Sequence, residues 1–232
     1  MSSSLPENRL LAALPPDEFT RLTARMTTVT LGHKDFLYRA GGPIDHVYFP
    51  LTGVLSAVVV MADGASAEVA AIGSEGMIGA AVALGAARSA EQVFCQVPPA
   101  ECRRMPAAEF AAECAKGGPL RDVIHVYLRG FLAASAQLTA CNCLHPIDER
   151  CARWLLMCQD RVASDEFTLT HEFLAVMLGV RRATVSVAAS SLQSAGMITY
   201  RHGRVKVLDR PALEEAACEC YRAMRDAFNP IP

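Results

Sequence analysis

The chain has 232 residues, a formal net charge of −2 and an apolar fraction of 52%. This length suits two domains of ordinary size, and the apolar content is ample for buried cores. The N-terminus, MSSSLPENRL, lacks the basic and apolar regions of a signal peptide, and no stretch approaches the ~20 apolar residues of a membrane span. We therefore expect a cytoplasmic protein that does not contact a membrane.

Nine cysteines are a high number for a chain of this length. The number is odd and no CxxC pair occurs, which argues against a disulfide framework. Two CxC pairs, Cys141/Cys143 and Cys218/Cys220, have the only metal-like spacing. Both pairs lie in or beside predicted helix, where residues i and i+2 point to different sides. We therefore expect most cysteines to be small buried hydrophobes, and we expect no metal site.

The first half of the chain changes from helical to strand-like patterning. Residues 5–26 have helical periodicity with a break at Pro15-Pro16. From Val29 to about Met105, short apolar runs alternate with turn residues, and Asp63-Gly64 between two of these runs is a hairpin signal. Many short strands at this spacing predict an antiparallel barrel or jelly roll.

A long helix is predicted to begin at Pro119, because proline suits a first turn. Its apolar stripe consists of Leu120, Val123, Ile124, Tyr127, Leu128, Phe131, Leu132, Ser135 and Leu138. Leu120, Tyr127 and Ala134 fall at heptad steps, which predicts a coiled-coil-like dimer interface. Packing of the stripe against the chain's own barrel is the alternative.

His145-Pro146 breaks the long helix and is the predicted hinge between domains. A further helix over Asp148–Asp160 leads into the C-terminal part. The fold is therefore predicted to be α+β: an antiparallel β-barrel or jelly roll in residues 1–118, a dimerisation helix in 119–144 and a third domain in 145–232.

The third domain contains the order of elements that is typical of a winged helix-turn-helix, between Thr168 and Arg210. Thr170 is a good N-cap for the first helix, and Gly179 ends it because glycine readily takes the left-handed conformation. Ala183–Leu192 is predicted as the second helix, the element that fits the DNA major groove in such modules.

The wing of this module is predicted as two strands, Met197–Tyr200 and Val205–Leu208. Between Thr168 and Arg210 there are six Lys/Arg and two acidic residues, a net charge of +4, so the rest of the chain carries −6. Positive charge concentrated in one segment is typical of DNA binding, although a helical subdomain with solvated arginines is the alternative. The predicted DNA contacts are Thr170, Arg181, Arg182, Thr184, Ser186, Arg201 and Arg204.

Barrel, long helix, hinge and winged helix-turn-helix, in this order, resemble the Crp–Fnr family of bacterial transcription regulators. The motifs that carry the resemblance are LTHEFLAVMLGVRRATVS, HPIDERCARWLL, GPIDHVYFPLTGVLS and IGSEGMIG. The resemblance covers nearly the whole chain. It implies a cyclic-nucleotide-binding type of sensor barrel, a homodimer through the long helix, and a palindromic operator in double-stranded DNA. RNA polymerase is a further expected partner.

The resemblance also implies an effector site in the barrel. In cyclic-AMP-binding members a glycine-glutamate-hydrophobic-glycine segment holds the ribose and an arginine-serine pair holds the cyclic phosphate. Here Gly76-Met77-Ile78-Gly79 has methionine in place of the glutamate, whereas Arg88-Ser89 resembles the phosphate pair. Ser135 falls where the family's long helix offers a hydroxyl to the base. The expected effector contacts are Gly76, Ile78, Gly79, Arg88, Ser89 and Ser135, with a cyclic nucleotide as the candidate ligand.

Other properties of the family fit this chain poorly. No cysteine precedes Cys95, which argues against the N-terminal iron–sulfur cluster of the oxygen-sensing branch. His33 and His46 lie in the barrel region, but neither is in an obvious motif for a haem ligand. In the recognition helix, Ala183 and Val187 replace a glutamate and an arginine of members that read the best-known operator, so we predict a different operator.

The sequence therefore predicts a DNA-binding transcription regulator, not an enzyme, that is gated by an effector at the barrel. One alternative keeps DNA binding without a nucleotide ligand, with control by protein contacts or cysteine oxidation. Another is a barrel metalloenzyme, for which His33 and His46 supply too few ligands.

Overall fold

A computed structural model describes residues 7–162 and 164–229 of the chain. It begins with two short helices, α1 (Arg9–Ala12) and α2 (Pro16–Thr23). Asn8 caps α1 by accepting hydrogen bonds from the backbone N–H groups of the next turn, and its amide donates to the carbonyls of Pro50 and Gly76. The helical segment predicted over residues 5–26, with its break at Pro15-Pro16, is confirmed within the described residues; positions 5 and 6 lie outside them.

Seven strands follow and form two antiparallel sheets that pack against each other. The strands are β1 (Thr27–Leu31), β2 (Phe36–Tyr38), β3 (His46–Pro50), β4 (Val54–Val60), β5 (Ser66–Ile72), β6 (Gln92–Val97) and β7 (Ala100–Pro106). One sheet has the order β1-β7-β3 and the other β2-β6-β4-β5. Their shared core includes Val47, Phe49, Leu55 and Met105, all fully buried. The predicted barrel or jelly roll is confirmed as jelly-roll-like sheets that do not close into a barrel.

The β4–β5 hairpin contains the predicted Asp63-Gly64 turn. Gly64 has a φ of +86°, and the Asp63 carboxylate accepts a hydrogen bond from the N–H of Ala65 at 2.9 Å. Val60 pairs with Ser66, so the connection between the last paired residues spans five residues. The hairpin is therefore confirmed, with a longer loop than a two-residue Asp-Gly turn.

Two helices cover the sheets, α3 (Ala107–Ala115) and α4 (Pro119–Leu144). In α4, Leu120 and Tyr127 are buried in the core of the sheets, and the Tyr127 hydroxyl donates to the carbonyl of Met77 at 3.1 Å. The prediction that Leu120 and Tyr127 lie at heptad steps of a dimer seam is therefore wrong. The open sheets need an apolar cover, and this face of α4 supplies it within the monomer.

The opposite face of α4 is exposed along the second half of the helix. Leu132 is 69% exposed, although leucine is usually buried. Ala133, Ala136 and Ala140 are exposed on the same stretch of the helix. The apolar surface that α4 presents to solvent is thus separate from the stripe that packs inside the monomer.

The C-terminal part follows Pro146 and consists of five helices and three short strands. These elements are α5 (Ile147–Val162), β8 (Glu166–Thr168), α6 (His171–Leu178), α7 (Arg182–Ser194), β9 (Ile198–Arg201), β10 (Arg204–Val207), α8 (Arg210–Ala216) and α9 (Cys220–Asp226). Strand order is β8-β10-β9, so the predicted two-stranded wing has a third strand from the connection between α5 and α6.

Helix α9 returns to the long helix α4. A Cβ atom at Gly130 would lie 2.4 Å from the carbonyl oxygen of Ala227, so only glycine allows this approach. Next to it, the rings of Tyr127 and Phe228 stack with centroids 5.8 Å apart. The last described segment of the chain is therefore packed against the middle of α4.

The C-terminal part shares a hydrophobic core with the four-stranded sheet. Val54 and Phe94 of that sheet belong to the same buried cluster as Trp154 of α5 and Leu174 of α6. The C-terminal part is thus docked on the sheets. No single helix among the described residues is long and apolar enough to cross a membrane.

Candidate DNA interface and barrel cavity

Helices α6 and α7 form a helix-turn-helix with the predicted caps. The Thr170 hydroxyl accepts a hydrogen bond from the N–H of Phe173 at 3.3 Å, and Gly179 ends α6 with a φ of 63°. The chain changes direction by 105° between the two helices. This value lies within the range of about 90–120° that is typical of the motif.

Helix α7 buries one face and exposes the other. Val185 and Leu192 are buried in the shared core. Arg181, which occupies the N-cap position, is exposed, as are Arg182 and Thr184. The outward face of α7 therefore carries two arginines and a hydroxyl near its N-terminus, the end that enters the major groove in helix-turn-helix proteins.

Two of the predicted contact residues of α7 already have partners. The Nε of Arg182 lies 2.7 Å from a carboxylate oxygen of Glu172, and both side chains are about two-thirds exposed. The Ser186 hydroxyl lies 2.9 Å from Nδ1 of His171 and donates to the backbone carbonyl of Arg182. Arg182 has an exposed, replaceable partner, whereas Ser186 is half-buried and serves the packing of α6 on α7.

His171 links the two helices to the wing, a role that the sequence does not reveal. Its ring lies 4.3 Å from the ring of Tyr200 in β9, centroid to centroid, and burial lowers the pKa of the imidazole. The Tyr200 hydroxyl donates to the carbonyl of Leu169 at 2.6 Å. Helix α7, the N-terminus of α6 and the wing thus meet around His171.

The tip of the wing places two predicted contacts next to the start of α6. His202 and Gly203 both have positive φ values, 50° and 75°, and form the turn between Arg201 and Arg204. The N–H of Leu169 donates to the carbonyl of Gly203 at 2.8 Å. Arg201 and Arg204 are exposed, and Arg204 contacts Glu166 at 3.0 Å. Both cationic side chains of the wing are therefore exposed to a phosphate backbone, although Arg204 would have to leave its exposed partner Glu166 to reach it.

A cavity of about 610 Å³ lies between the four-stranded sheet and α4. Four of the six predicted effector contacts line it: Ile78, Gly79, Arg88 and Ser89. Gly76 is outside the lining and packs on the ring of Tyr127, while Ser135 lines a smaller neighbouring cavity next to Arg153. The structure thus brings most, but not all, of the predicted residues together.

The segment Gly76-Met77-Ile78-Gly79 is held by close contacts that exclude larger side chains. A Cβ atom at Gly79, where φ is +89°, would lie 2.6 Å from the Tyr38 hydroxyl oxygen. Met77 is 2% exposed and lines the cavity. An apolar thioether therefore occupies the position where the related motif has a carboxylate.

Glu75 does not substitute for that carboxylate. It accepts from the guanidinium of Arg161 in α5, with 2.8 Å between Nη2 and Oε1, and from the N–H of Gly73. Glu75 thus fastens the C-terminal part to the sheets and lies outside the cavity lining.

Arg88 and Ser89 lie at the mouth of the cavity with different exposures. Arg88 is exposed and donates to the carbonyl of Gly41. Ser89 is buried, and its hydroxyl donates to the carbonyl of Glu91 at 2.9 Å. An anionic ligand group would meet an exposed guanidinium and a hydroxyl that has to change partner.

Three further polar side chains line the cavity that the sequence does not single out. Glu91 follows the Arg88-Ser89 pair, and His125 and Arg129 lie one turn apart on α4. The four-residue spacing of His125 and Arg129 on α4, next to the apolar Leu128, is the sequence signal that could have identified these two residues. The barrel histidines His33 and His46 do not line this cavity.

Two family models match the chain. The cyclic nucleotide-binding domain matches residues 28–116, and the Crp-like helix-turn-helix domain matches residues 149–216. A comparison with curated proteins gives no match.

Solved structures of transcription regulators have the same fold. FixK2 from Bradyrhizobium japonicum has a TM-score of 0.68 at 16% identity, covering 83% of this chain and 98% of its own. A CRP/FNR-family regulator from Thermus thermophilus has a TM-score of 0.68 at 22% identity, covering 82% and 98%. The c-di-GMP-responsive global regulator CLP from Xanthomonas campestris has a TM-score of 0.66 at 15% identity, covering 83% and 99%.

Proposed function

Because the chain belongs to the Crp–Fnr family of transcription regulators, we propose that it binds a palindromic operator as a homodimer and is gated by an effector in the barrel cavity. The observation that carries this proposal is the exposed N-terminal end of α7, where Arg181, Arg182 and Thr184 face solvent beside the wing. RNA polymerase is the further partner that we propose, and the cytoplasm is the proposed place of action.

The exposed face of α4 supports the homodimer. Leu132 is 69% exposed, and the small residues Ala133, Ala136 and Ala140 leave room for a second helix to approach closely. A two-fold axis along this face would present two copies of α7 to successive major grooves, about one DNA turn or roughly 34 Å apart.

The composition of α7 supports an operator that differs from the family's best-known one. Ala183 offers no carboxylate to accept from a cytosine amino group, and the 71% exposed Val187 offers an apolar contact instead of a guanidinium. Arg181 and Arg182 would supply guanine or phosphate contacts, and Arg201 and Arg204 would bind the backbone next to them.

The cavity supports an effector with a large apolar part and several polar groups. Its walls are mainly aliphatic and aromatic, and they also carry the polar side chains of Arg88, Ser89, Glu91, His125 and Arg129. A cyclic nucleotide remains the candidate, with its phosphate at Arg88-Ser89. With Met77 in place of a carboxylate, the ribose would lack its usual acceptor, so cyclic AMP itself fits less well than a ligand with other polar groups. The structurally similar regulator CLP responds to c-di-GMP, so dinucleotides belong among the ligands to test.

The location of the cavity provides a route from effector to DNA. Phe131 and Leu132 of α4 line the cavity, and Leu132 also belongs to the exposed face proposed for the dimer. A ligand that contacts this turn of α4 would change the surface on which the two subunits meet.

Gel-shift titration against genomic fragments tests the function. We expect salt-sensitive and sequence-selective binding, and an Arg182→Ala variant should lose about 1–3 kcal/mol of specific binding. Arg25→Ala, an exposed arginine of the sensor part, is the matched control and should bind like the parent protein. Absence of selectivity at every salt concentration would rule the proposal out.

Calorimetry with a panel of cyclic mono- and dinucleotides tests the effector. Arg88→Ala should abolish phosphate-dependent binding, because the guanidinium at the mouth of the cavity is lost. Arg39→Ala is the control for general loss of positive charge, since Arg39 stacks on the Phe36 ring outside the cavity lining. Binding that survives in Arg88→Ala would contradict this placement of the phosphate.

A further inference from the structure

Three cysteines and a histidine meet where α4 ends. Cys141 lies in the last turn of α4 and His145 follows the helix, while Cys218 precedes α9 and Cys220 is its first residue. One ligand atom from each of the four side chains lies within 4.8 Å of the others. The three cysteines are buried and His145 is half-buried.

The two separations resolved within this cluster match the edges of a zinc tetrahedron. With Zn–S bonds of about 2.3 Å and Zn–N bonds of about 2.0–2.1 Å, tetrahedral geometry separates two sulfurs by about 3.8 Å and a sulfur from a nitrogen by about 3.6 Å. The Sγ atoms of Cys141 and Cys218 are 3.6 Å apart, and Sγ of Cys220 is 3.5 Å from Nδ1 of His145.

Two neighbouring side chains orient the candidate ligands. Nε2 of His145 lies 3.2 Å from a carboxylate oxygen of Glu219, so the nitrogen that faces away from the cluster has an acceptor and Nδ1 is left for a metal. The Gln137 amide donates to Sγ of Cys220 at 3.0 Å, a contact that stabilises a thiolate. Carboxylate–histidine pairs of this kind are typical of zinc sites.

A buried cation balances the charge that such a site would carry. Three thiolates and one Zn²⁺ ion leave a net charge of −1. Arg153 is 2% exposed and makes no salt bridge among the described residues; its Nη1 donates to the sulfurs of Met157 and Met224. The charge of Arg153 acts on the Glu68 carboxylate as well as on the Cys141 and Cys218 thiols. A buried arginine is costly unless negative groups compensate it, and a zinc-bound thiolate cluster would add to the compensation by Glu68.

We propose that Cys141, His145, Cys218 and Cys220 bind one Zn²⁺ ion that joins the end of α4 to the start of α9. Three sulfurs and one imidazole nitrogen are a donor set that zinc prefers. Four protein ligands leave no open position for a substrate, so the ion is structural. It fixes the joint between the sensor and the DNA-binding module.

A disulfide and an iron–sulfur cluster are the two alternatives to zinc at these four residues, and the experiments below distinguish them. A disulfide between Cys141 and Cys218 would need the two sulfurs to approach to about 2.05 Å, and it would leave Cys220 and His145 without a role. A [4Fe–4S] cluster binds each ligand to a different iron atom, and a [2Fe–2S] cluster binds two ligands to each of its two irons. In both clusters, ligand atoms on different irons lie further apart than the 4.8 Å within which all four lie here.

The first experiment measures metal content. The full chain is purified under reducing conditions, dialysed against metal-free buffer and analysed by inductively coupled plasma mass spectrometry. We expect about one zinc ion per chain in the parent protein and loss of zinc in the Cys218→Ser, Cys220→Ser double variant. Cys143→Ser is the matched control, because Cys143 is exposed on the same turn of α4, and it should keep its zinc.

The second experiment needs no cysteine variant. Metal is removed from the parent protein with a chelator under reducing conditions, and Co²⁺ is then added. We expect thiolate-to-cobalt charge-transfer bands and the visible bands of a tetrahedral site, which saturate at one ion per chain and disappear when Zn²⁺ displaces Co²⁺.

Several results would overturn the proposal. They are a folded parent protein that binds neither ion, equal metal loss in Cys143→Ser and in the double variant, iron with acid-labile sulfide in place of zinc, and a Cys141–Cys218 disulfide in metal-free protein as isolated.

Discussion

The indole of Trp154 in α5 donates to the carboxylate of Glu68 in β5, with 2.9 Å between Nε1 and Oε1. Both side chains are buried, and the Ser56 hydroxyl donates to the other oxygen of Glu68 at 2.7 Å. Burial raises the pKa of Glu68, while these two hydrogen bonds oppose the shift. The two parts of the molecule are thus joined by a polar contact inside an apolar core.

Trp154→Phe should destabilise the fold by about 1–3 kcal/mol, because a buried carboxylate loses one of its donors. Denaturant unfolding followed by circular dichroism measures this loss, since Trp154 is the chain's only tryptophan and its fluorescence disappears with it. In a Glu68→Gln background the same substitution should cost less. Equal losses in both backgrounds would mean that ring volume, and not the hydrogen bond, is responsible.

Glu172→Gln should tighten binding to the operator about fivefold, which corresponds to ~1 kcal/mol. The substitution releases Arg182 from its exposed partner and removes a negative charge from the DNA-facing surface. Glu109→Gln breaks a similarly exposed pair with Arg25 in the sensor part and serves as the control. Fluorescence anisotropy at two salt concentrations measures both, and an equal gain for the two variants would refute the role of Glu172.

Leu132→Asp should shift the protein from dimer to monomer. Two symmetry-related carboxylates would face each other across the proposed α4 interface, where desolvation and like charge both oppose association. Sedimentation velocity should show at least about a tenfold rise in the dimer dissociation constant, or ~1.4 kcal/mol. Leu208→Asp, at a 53% exposed leucine away from α4, should leave the dimer intact. An unchanged dimer in Leu132→Asp would exclude this face.

Glu113 predicts an acid-dependent loss of stability. Its carboxylate contacts Lys116 at 2.7 Å, Arg21 at 2.8 Å and Arg25 at 2.6 Å, and these contacts, led by Lys116, lower its pKa to about 2. Because the pKa of Glu113 is lower in the folded state than in the unfolded chain, its carboxylate stabilises the fold at pH values above the unfolded pKa of about 4.3. This contribution is lost as the pH falls towards 2.

Thermal unfolding between about pH 6 and pH 2.5 measures this contribution. The difference in melting temperature between the parent protein and Glu113→Gln should shrink as the pH falls. Glu109→Gln, whose carboxylate is 41% exposed, should show a weaker dependence. A difference that stays constant with pH would contradict the assignment to Glu113.

Local signals made the DNA-binding module predictable. Thr170 caps α6, and Gly179 takes the left-handed conformation that ends it. The net charge of the segment follows directly from the number of its basic and acidic residues. These features depend on residues a few positions apart. The third wing strand, β8, was not predicted because it pairs with β10 across nearly forty residues of sequence.

Long-range packing explains the errors. Leu120 and Tyr127 have the spacing of a dimer seam, but periodicity does not say whether a helix packs on its own sheet or on a second chain. Helices α8 and α9 were not predicted, and the return of α9 to Gly130 depends on contacts about a hundred residues apart. The proposed domain limits at residues 118 and 144 remain a prediction, compatible with the helix bounds of α4.

The cysteine cluster also depends on long-range packing that the sequence does not reveal. Cys143 points away from Cys141, as expected for residues i and i+2 of a helix. Cys218, however, lies just before α9 in a non-helical segment, so its side chain and that of Cys220 reach the same place. Only the fold brings them to Cys141, 77 residues earlier in the chain.

The attachment of the DNA-binding part to α4 restricts how it can move. Its first helix begins at Ile147, separated by two residues from the end of α4, and its last helix lies along α4 with Ala227 against Gly130. A rotation of this part about the line that joins the two attachments would also have to shift the core that it shares with the four-stranded sheet. Activation would then be a rigid-body rotation, in which a small change of angle at the joint produces a larger displacement of α7.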